Sequence, residues 1–169
     1  MGIEAPISKF TKTNFKIYIG VCIIAAAFFA YDGYLSKYEW SKRYDFYKKH
    51  VLDNNGTPDT TMNFNRKSPP VFIGAAALFT VYLLAIRNKK LVADENELII
   101  STKEKIAYNS IQKIDKTYFG SKGYFIITYK DKDGNEVSRK ISNKGYDNLA
   151  AILEYLVTKI SPPEAGVGE

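Results

Sequence analysis

Residues 71–86, VFIGAAALFTVYLLAI, form an apolar run that contains no charged residue. Two prolines precede the run and three basic residues follow it closely: Pro69, Pro70, Arg87, Lys89 and Lys90. A helix needs about 20 mostly apolar residues to cross a hydrocarbon core of about 30 Å, and basic residues suit its end at the headgroups. The stretch therefore predicts a transmembrane helix over residues 69–87, and the rest of the chain is organised around it.

A second apolar run lies upstream and predicts a first transmembrane helix over residues 15–35. Its centre, from Ile19 to Tyr31, carries no charge. The run also has the length of the apolar part of a signal peptide, but the residues that follow, Tyr31 to Tyr34, offer no clear small-x-small cleavage site, and Ala26, Phe28 and Ala30 are the nearest imitation of one. The sequence favours a retained anchor over a cleaved signal.

Small residues on both runs suggest that the two helices pack as a hairpin, because close helix contact in lipid uses small side chains. They are Ala26 and Ala30 on the first run, and Gly74, Ala75, Ala76 and Ala77 on the second. Before the first run, residues 1–14 are expected to form a flexible N-terminal tail.

Residues 36–68 are expected to connect the two helices as an aromatic and basic loop that is partly helical. Tyr, Trp and Phe alternate with Lys and Arg up to Leu52, and turn-forming residues follow from Asp53 to Asp59. Residues 60–70 are polar and are expected to be extended, with the prolyl pair starting the second helix. The aromatic part is expected to contact either the membrane interface or a partner subunit.

The distribution of positive charge favours a cytoplasmic location for both termini. Basic residues flank the outer ends of the two runs closely: Lys9, Lys12, Lys16, Arg87, Lys89 and Lys90. The connecting loop carries seven basic residues against these six, but most of them lie further from the apolar runs. Because Lys and Arg next to a span are retained on the cytoplasmic side, we expect a bacterial inner-membrane protein with a cytoplasmic C-terminal domain.

Residues 88–161 are expected to form an α+β domain of short antiparallel strands capped by one C-terminal helix. Strand signals recur from Lys90 to Ser142, and Asp133-Gly134 marks a hairpin turn. Apolar residues then recur at helical spacing from Tyr146 to Ile160. Ser142 or Asn143 is expected to cap that helix, with Asp147 in its first turn, and residues 162–169 to form a flexible tail.

No residue set in the sequence has the composition of a catalytic or metal site. The chain has one cysteine, Cys22 inside the first apolar run, and one histidine, His50, which we expect to be exposed to solvent. A metal site or a Ser-His-Asp set needs partners that are not there. The net charge of +6 is spread along the chain, whereas nucleic-acid binding favours one dense basic face. We therefore expect no enzyme activity, no cofactor, no nucleic-acid partner and no small-molecule substrate.

The C-terminal pattern resembles the bacterial pleckstrin-homology (PH) domains of small membrane proteins, over about residues 90–160. The resemblance rests on LVADENELII at residues 91–100 and on IAYNSIQKI at 106–114, where Asn109 stands at a position usually held by proline. It implies a PH-like barrel or sandwich behind two transmembrane helices. Related eukaryotic domains bind phosphoinositides through basic residues around the first strand turn. The turn at Asp94 to Glu97 is acidic, so we do not transfer that site.

Two functions remain from the sequence alone. The first is a non-enzymatic membrane scaffold or accessory subunit that contacts lipids and other membrane-protein subunits through the PH-like domain and the connecting loop at residues 36–68. The alternative is a module that senses anionic lipid headgroups, for which six lysines could form a patch or an ordinary solvated surface: Lys103, Lys105, Lys113, Lys116, Lys122 and Lys130. The expected interface or headgroup contacts are Trp40, Arg43, Tyr44, Tyr47, Arg87, Lys89, Lys90, Lys103 and Lys105.

Overall fold

The computed structural model describes residues 2–160 and divides the chain into two compact units. The first, called the β unit, comprises Met1–Lys12 and Ala85–Glu169. The second, called the hairpin unit, comprises Thr13–Leu84. The tail expected at residues 162–169 lies outside the described residues.

Two long apolar helices dominate the hairpin unit, as predicted. Helix α1 spans Lys9–Ala30 and continues as a π-helical turn over Tyr31–Leu35. A short helix, α2 (Tyr44–Tyr47), leads into a second π-helical turn (Lys48–Leu52), and helix α3 spans Thr60–Ile86. Both long helices are long and apolar enough to cross a membrane, and only 6% and 17% of their most apolar windows are buried.

The long helices of the hairpin unit run antiparallel and meet through aromatic rings. The rings of Phe15 and Tyr82 lie 4.7 Å apart, and those of Phe29 and Phe72 stack at 5.5 Å. Among the small residues predicted to line the contact, Ala26 and Ala76 are buried, whereas no atom lies within 4 Å of a Cβ added at Gly74. The helix contact therefore combines aromatic ring pairs with the buried alanines Ala26 and Ala76, and Gly74 lies outside it.

Helix α3 begins earlier than predicted, because residues 60–68 are helical rather than extended. Asp59 caps the helix by accepting a hydrogen bond of 2.9 Å from the amide of Met62. The prolyl pair lies inside the helix, where a proline leaves the carbonyl four residues earlier without its usual donor. For Pro70 that carbonyl belongs to Arg66, and the hydroxyl of Tyr34 donates to it at 2.7 Å. A tertiary contact thus supplies the bond that the helix lacks.

The N-terminal segment differs from the predicted flexible tail. Strand β1 (Ile3–Pro6) pairs antiparallel with β2 (Lys90–Ala93), with Pro6 opposite Lys90. On the other side, the amide of Asp147 donates to the carbonyl of Pro6 at 2.9 Å. Ser8 is fully buried and caps α1 by accepting from the amide of Thr11 at 3.1 Å. These bonds satisfy the backbone of the segment, so it is part of the β unit.

The β unit contains two small antiparallel sheets. Strands β1, β2, β3 (Glu97–Ile99) and β4 (Lys105–Ala107) form the first sheet in that order. Strands β5 (Ile111–Asp115), β6 (Tyr124–Lys130) and β7 (Glu136–Ser142) form the second. A short helix, α4 (Phe119–Lys122), precedes β6, and Gly123 ends it with a φ of +67°.

Helix α5 (Leu149–Ile160) packs on the core that the two sheets share. The fully buried core side chains include Leu98, Phe125, Ile127 and Leu156. The sequence pattern predicts this helix but not its cap. Helix α5 begins at Leu149 after Asn148 at a φ of +59°, and Asp147 instead accepts a bond of 3.1 Å from the amide of Lys9 at the start of α1.

Because β1 comes from the N-terminus, the acidic turn at residues 94–96 connects the second and third strands. The sequence alone suggests that this turn is the first strand turn, but the structure makes it the second. The segment between the first and second strands is instead residues 7–89, which carry α1 and α3. Lys89 and Lys90 stand at its end.

Candidate contact surfaces

An ion pair between the buried Asp32 and the half-exposed Arg43 closes a loop at the end of α1. Asp32, only 2% exposed, accepts two hydrogen bonds from the Arg43 guanidinium, from Nε at 2.8 Å and from Nη2 at 2.7 Å. The hydrogen bond from Arg43 to Asp32 raises the pKa of the guanidinium, in opposition to the effect of its desolvation. A paired geometry of this kind combines charge with a fixed orientation. Residues 32–43, here called the aromatic loop, are therefore tied back to the helix from which they emerge.

The base of the aromatic loop packs tightly against α3. A Cβ added at Gly33 would lie 2.9 Å from the carbonyl carbon and oxygen of Asn65 and 3.0 Å from the amide nitrogen of Arg66. The side chain of Arg66 donates in turn to the carbonyl of Gly33 at 3.0 Å. Only glycine permits this approach of two backbones. The loop, α1 and α3 are joined at this point.

Large aromatic side chains of the aromatic loop face solvent. Trp40 is 69% exposed and stacks on Tyr38, with ring centroids 5.6 Å apart and planes 11° apart. The ammonium of Lys37 lies 5.0 Å from the Tyr38 ring. Beyond the loop, Tyr44 and Tyr47 are half-buried and stack at 6.3 Å. The loop therefore presents an amphipathic ring pair beside positive charge.

His50 is not the solvent-exposed residue that the sequence predicts. Its side chain is 15% exposed, and its Nδ1 lies 2.7 Å from a carboxylate oxygen of Asp59. That hydrogen bond is the largest cause of the lowered pKa of Asp59, and the bond from the Met62 amide adds to it. The ring of Phe46 lies 4.3 Å from the imidazole. His50 thus fixes the cap of α3, which is a structural role.

A cleft of about 530 Å³ in the β unit, called the lysine-rimmed cleft, combines an apolar floor with basic side chains. Val92, Ile99 and Ile100 line it, and its other residues are Asn88, Lys89, Lys90, Ser101, Thr102 and Lys103. Lys90 forms an ion pair with Glu4 of β1. Within residues 2–160 no ion pair is found for Lys89 or Lys103. The cleft suits an anionic group with an adjoining apolar part.

A wider groove of about 750 Å³, called the mixed-charge groove, lies in the β unit between the β3–β4 hairpin and the turn that joins β6 to β7. Lys105 forms an ion pair with Glu97 at 2.7 Å, and both residues line the groove. Glu104, also in the lining, pairs with Arg139 at 3.0 Å. Both signs of charge and the half-buried Tyr129 suit a polypeptide better than a phosphate.

The predicted contact residues fall into separate groups. Lys89, Lys90 and Lys103 come together in the lysine-rimmed cleft, and Lys105 lies in the mixed-charge groove, where Lys103 also contributes. Trp40 and Arg43 belong to the aromatic loop, with Arg43 used internally by Asp32. Tyr44 and Tyr47 follow the loop, and Arg87 is exposed at the end of α3.

Sequence reasoning missed Asp32 and Glu4, which neutralise two of the predicted basic contacts. An acidic residue at the end of an apolar run is the one available signal for Asp32, since a charge there needs a partner. Glu4 gives no such signal. Among residues 2–160, no group of three His, Cys, Asp or Glu side chains is placed to hold a metal ion.

Comparison with protein-family models, with curated proteins and with solved structures finds no match to this chain. The class of protein must therefore be inferred from its helices, its sheets and its surfaces.

Proposed function

We propose that the chain is an integral membrane protein in which α1 and α3 span the bacterial inner membrane as a hairpin and hold the β unit at the cytoplasmic face. The observation that carries the proposal is the pairing of Pro6 with Lys90. These residues flank the two long helices in sequence, and paired strands share one side of a bilayer. The intervening chain must then cross an even number of times, as a two-helix hairpin does.

The length and surface of the helices support the same proposal. Each candidate span has 27 residues, or about 40 Å at 1.5 Å per residue, against a hydrocarbon core of about 30 Å. Core helices of a soluble protein would bury their apolar side chains, whereas Ile24, Val71 and Leu78 are at least 70% exposed. Cleavage of α1 as a signal peptide would also remove β1 from its sheet.

The β unit is proposed to be PH-like. Six antiparallel strands and a C-terminal helix lie within residues 90–160, which supports the plan implied by the resemblance, and β1 adds a seventh strand from the N-terminus. In this proposal the helical hairpin is an insertion between the first and second strands of the domain. Fold likeness alone gives no activity, so the function is argued from the surfaces.

The proposed function is that of a non-enzymatic scaffold or accessory subunit that contacts other membrane proteins. The mixed-charge groove supports it, because its charges are partly paired within the groove and it offers tyrosine and both signs of charge to a polypeptide. Purification of the full chain from its own membranes in mild detergent, with mass spectrometry of the co-migrating chains, tests it. We expect a stable assembly with fixed partners. A lone monomer or homodimer would refute the subunit role.

A charge-reversal pair in the groove makes that test specific. Lys130→Glu with Lys132→Glu changes two groove residues for which no ion pair occurs within residues 2–160. Lys116→Glu with Lys113→Glu changes the same charge outside the groove lining. Loss of partners from the groove variant alone supports the groove as the contact surface. Equal retention by both variants would move the contact elsewhere.

The second candidate is recognition of an anionic headgroup, favoured by the lysine-rimmed cleft. Lys89 follows Ile86, the last residue of α3, by only three positions, which keeps the cleft close to any membrane that α3 crosses. The full chain in detergent should melt at higher temperature when a short-chain anionic phospholipid is added, because a ligand stabilises the state that binds it. Lys89→Glu with Lys103→Glu should abolish that shift, and a zwitterionic lipid should not produce it. The same shift in the double variant would refute the site.

An orientation test is independent of both candidate functions. A reporter that is active only in the cytoplasm, fused after the last residue, should be active if the β unit faces the cytoplasm. An inactive reporter in correctly inserted protein would reverse the orientation and leave the hairpin unchanged.

A further inference from the structure

The aromatic loop exposes two large aromatic side chains to solvent. Trp40 and Tyr38 stack in parallel, and their side chains are 69% and 43% exposed. Large amphipathic rings of this kind are most favourable where an apolar layer meets a polar one, as at the headgroup level of a bilayer. Leu35, next to the loop base, is also exposed. The apolar surface of α1 therefore continues onto the loop.

The charge of the loop matches an anionic surface. Lys37 and Lys42 are exposed, and no ion pair occurs for either within residues 2–160. The positive charge of Arg43 is balanced by Asp32. Glu39 is the other acidic residue of the loop. The exposed ammonium groups of Lys37 and Lys42 beside two exposed rings suit anionic phosphate headgroups better than a cationic partner.

The loop is also held at a fixed place. The Asp32–Arg43 pair closes it, and the hydroxyl of Ser41 lies 3.1 Å from that of Tyr31, which provides a second tie. The buried Ser36 donates to the carbonyl of Asp32 and fixes the first turn. Trp40 therefore cannot move far from the end of α1.

We infer that the aromatic loop is an interfacial anchor, in which Trp40 and Tyr38 lie at the boundary between acyl chains and anionic phospholipid headgroups of the leaflet at the closed end of the hairpin. Lys37 and Lys42 contact the headgroups. The Asp32–Arg43 pair sets the depth of the rings. This inference rests on the proposed membrane insertion of α1 and α3, and it goes further by assigning the loop to lipid rather than to a protein subunit.

The chain provides its own reporter, because Trp40 is its one tryptophan. Full-length protein is reconstituted into vesicles with phospholipids brominated either near the headgroup or near the chain terminus. The anchor predicts emission at short wavelength, stronger quenching by the shallow bromines than by the deep ones, and little quenching by aqueous iodide. Quenching should be stronger when the brominated lipid is anionic than when it is zwitterionic. Trp40→Phe measures the background from tyrosine.

Several outcomes would overturn the inference. Free access of iodide to Trp40 would place the loop in water, and protection from both iodide and bromine would place it against protein. Equal quenching by anionic and zwitterionic lipids would refute the headgroup preference. Arg43→Ala should move Trp40 emission to longer wavelength and raise its quenching by iodide, and no change would refute the role of the ion pair in setting depth.

Failure of this inference is distinguishable from failure of the proposed function. Alkaline carbonate extraction of the same vesicles reports whether the helices are embedded. Protein that resists extraction while its Trp40 is open to iodide has an inserted hairpin and no anchor. Protein that is extracted refutes membrane insertion, and the anchor with it.

Discussion

The glycine at the base of the aromatic loop gives a sharp test of how the hairpin unit is held together. A Cβ at Gly33 would lie 2.9 Å from backbone atoms of Asn65, closer than real Cβ contacts permit. Gly33→Ala must therefore push the end of α1 away from α3. Forcing an extra carbon into a packed contact costs about 1–3 kcal/mol.

Gly20 and Gly74 provide matched controls, since a Cβ at either position meets nothing within 4 Å. In an open helical position alanine is more favourable than glycine by about 1 kcal/mol. Gly20→Ala and Gly74→Ala should therefore leave stability unchanged or raise it. Because Gly33→Ala has a similar helical gain, its difference from the controls isolates the steric cost of about 1–3 kcal/mol.

Thermal unfolding of the full chain in one mild detergent, followed by circular dichroism, measures the difference. For a chain of this size 1 kcal/mol corresponds to about 2–4 °C in Tm, so Gly33→Ala should unfold roughly 2–12 °C below the controls. A Tm for Gly33→Ala equal to or above that of Gly20→Ala would refute the close backbone contact.

Three further predictions concern charged and buried groups. Arg43→Ala leaves the buried Asp32 carboxylate without its partner and should lower stability by about 1.5–3 kcal/mol. Lys42→Ala, on the same exposed loop, should change stability by less than about 0.5 kcal/mol. The Tm of each variant in detergent measures the difference. Asp59 has a pKa below its usual value of 3.8, so its stabilising effect is present above pH 3.8 and is lost as the pH falls through the lowered pKa. Asp59→Asn should therefore flatten the decline of Tm at acid pH, measured as Tm against pH. Partial burial raises the pKa of Tyr108, so its contribution to stability is complete below pH 10.0 and is lost at higher pH. Tyr108→Phe should reduce the loss of Tm above that pH, and an unchanged alkaline profile would contradict desolvation of the phenol.

The two long helices are predictable because hydrophobic runs are a local signal, but their ends are not. Helix α1 extends back to Lys9 because Ser8 and Asp147 satisfy its first amides, and Asp147 is distant in sequence. Helix α3 extends back to Thr60, where Asp59 caps its start, and Tyr34 donates to the carbonyl that Pro70 leaves without a donor. The sequence around a proline does not reveal a donor that arrives from another helix.

Strands β6 and β7 lie on either side of the hairpin turn predicted at Asp133-Gly134, because each alternates over seven residues, whereas β1 is missed. Strand β1 has only four residues, one of them proline, and its partner begins at Lys90. The candidate surfaces are likewise predictable only where they depend on local sequence. The three lysines of the lysine-rimmed cleft can be identified as basic residues, but the pairing of Lys90 with Glu4 depends on β1 and is not visible in the local sequence.

The split origin of the first sheet affects how the protein is made. Strand β1 leaves the ribosome first, and its partner β2 follows only after residues 7–89 have been synthesised. At about 5–20 residues per second the delay is roughly 4–17 s. During that time β1 lacks its partner strand. In the proposed membrane topology, insertion of the hairpin must bring Lys9 and Ile86 together before the first sheet can form. In that topology, a chain whose hairpin fails to insert would keep an unpaired strand that proteases and chaperones recognise.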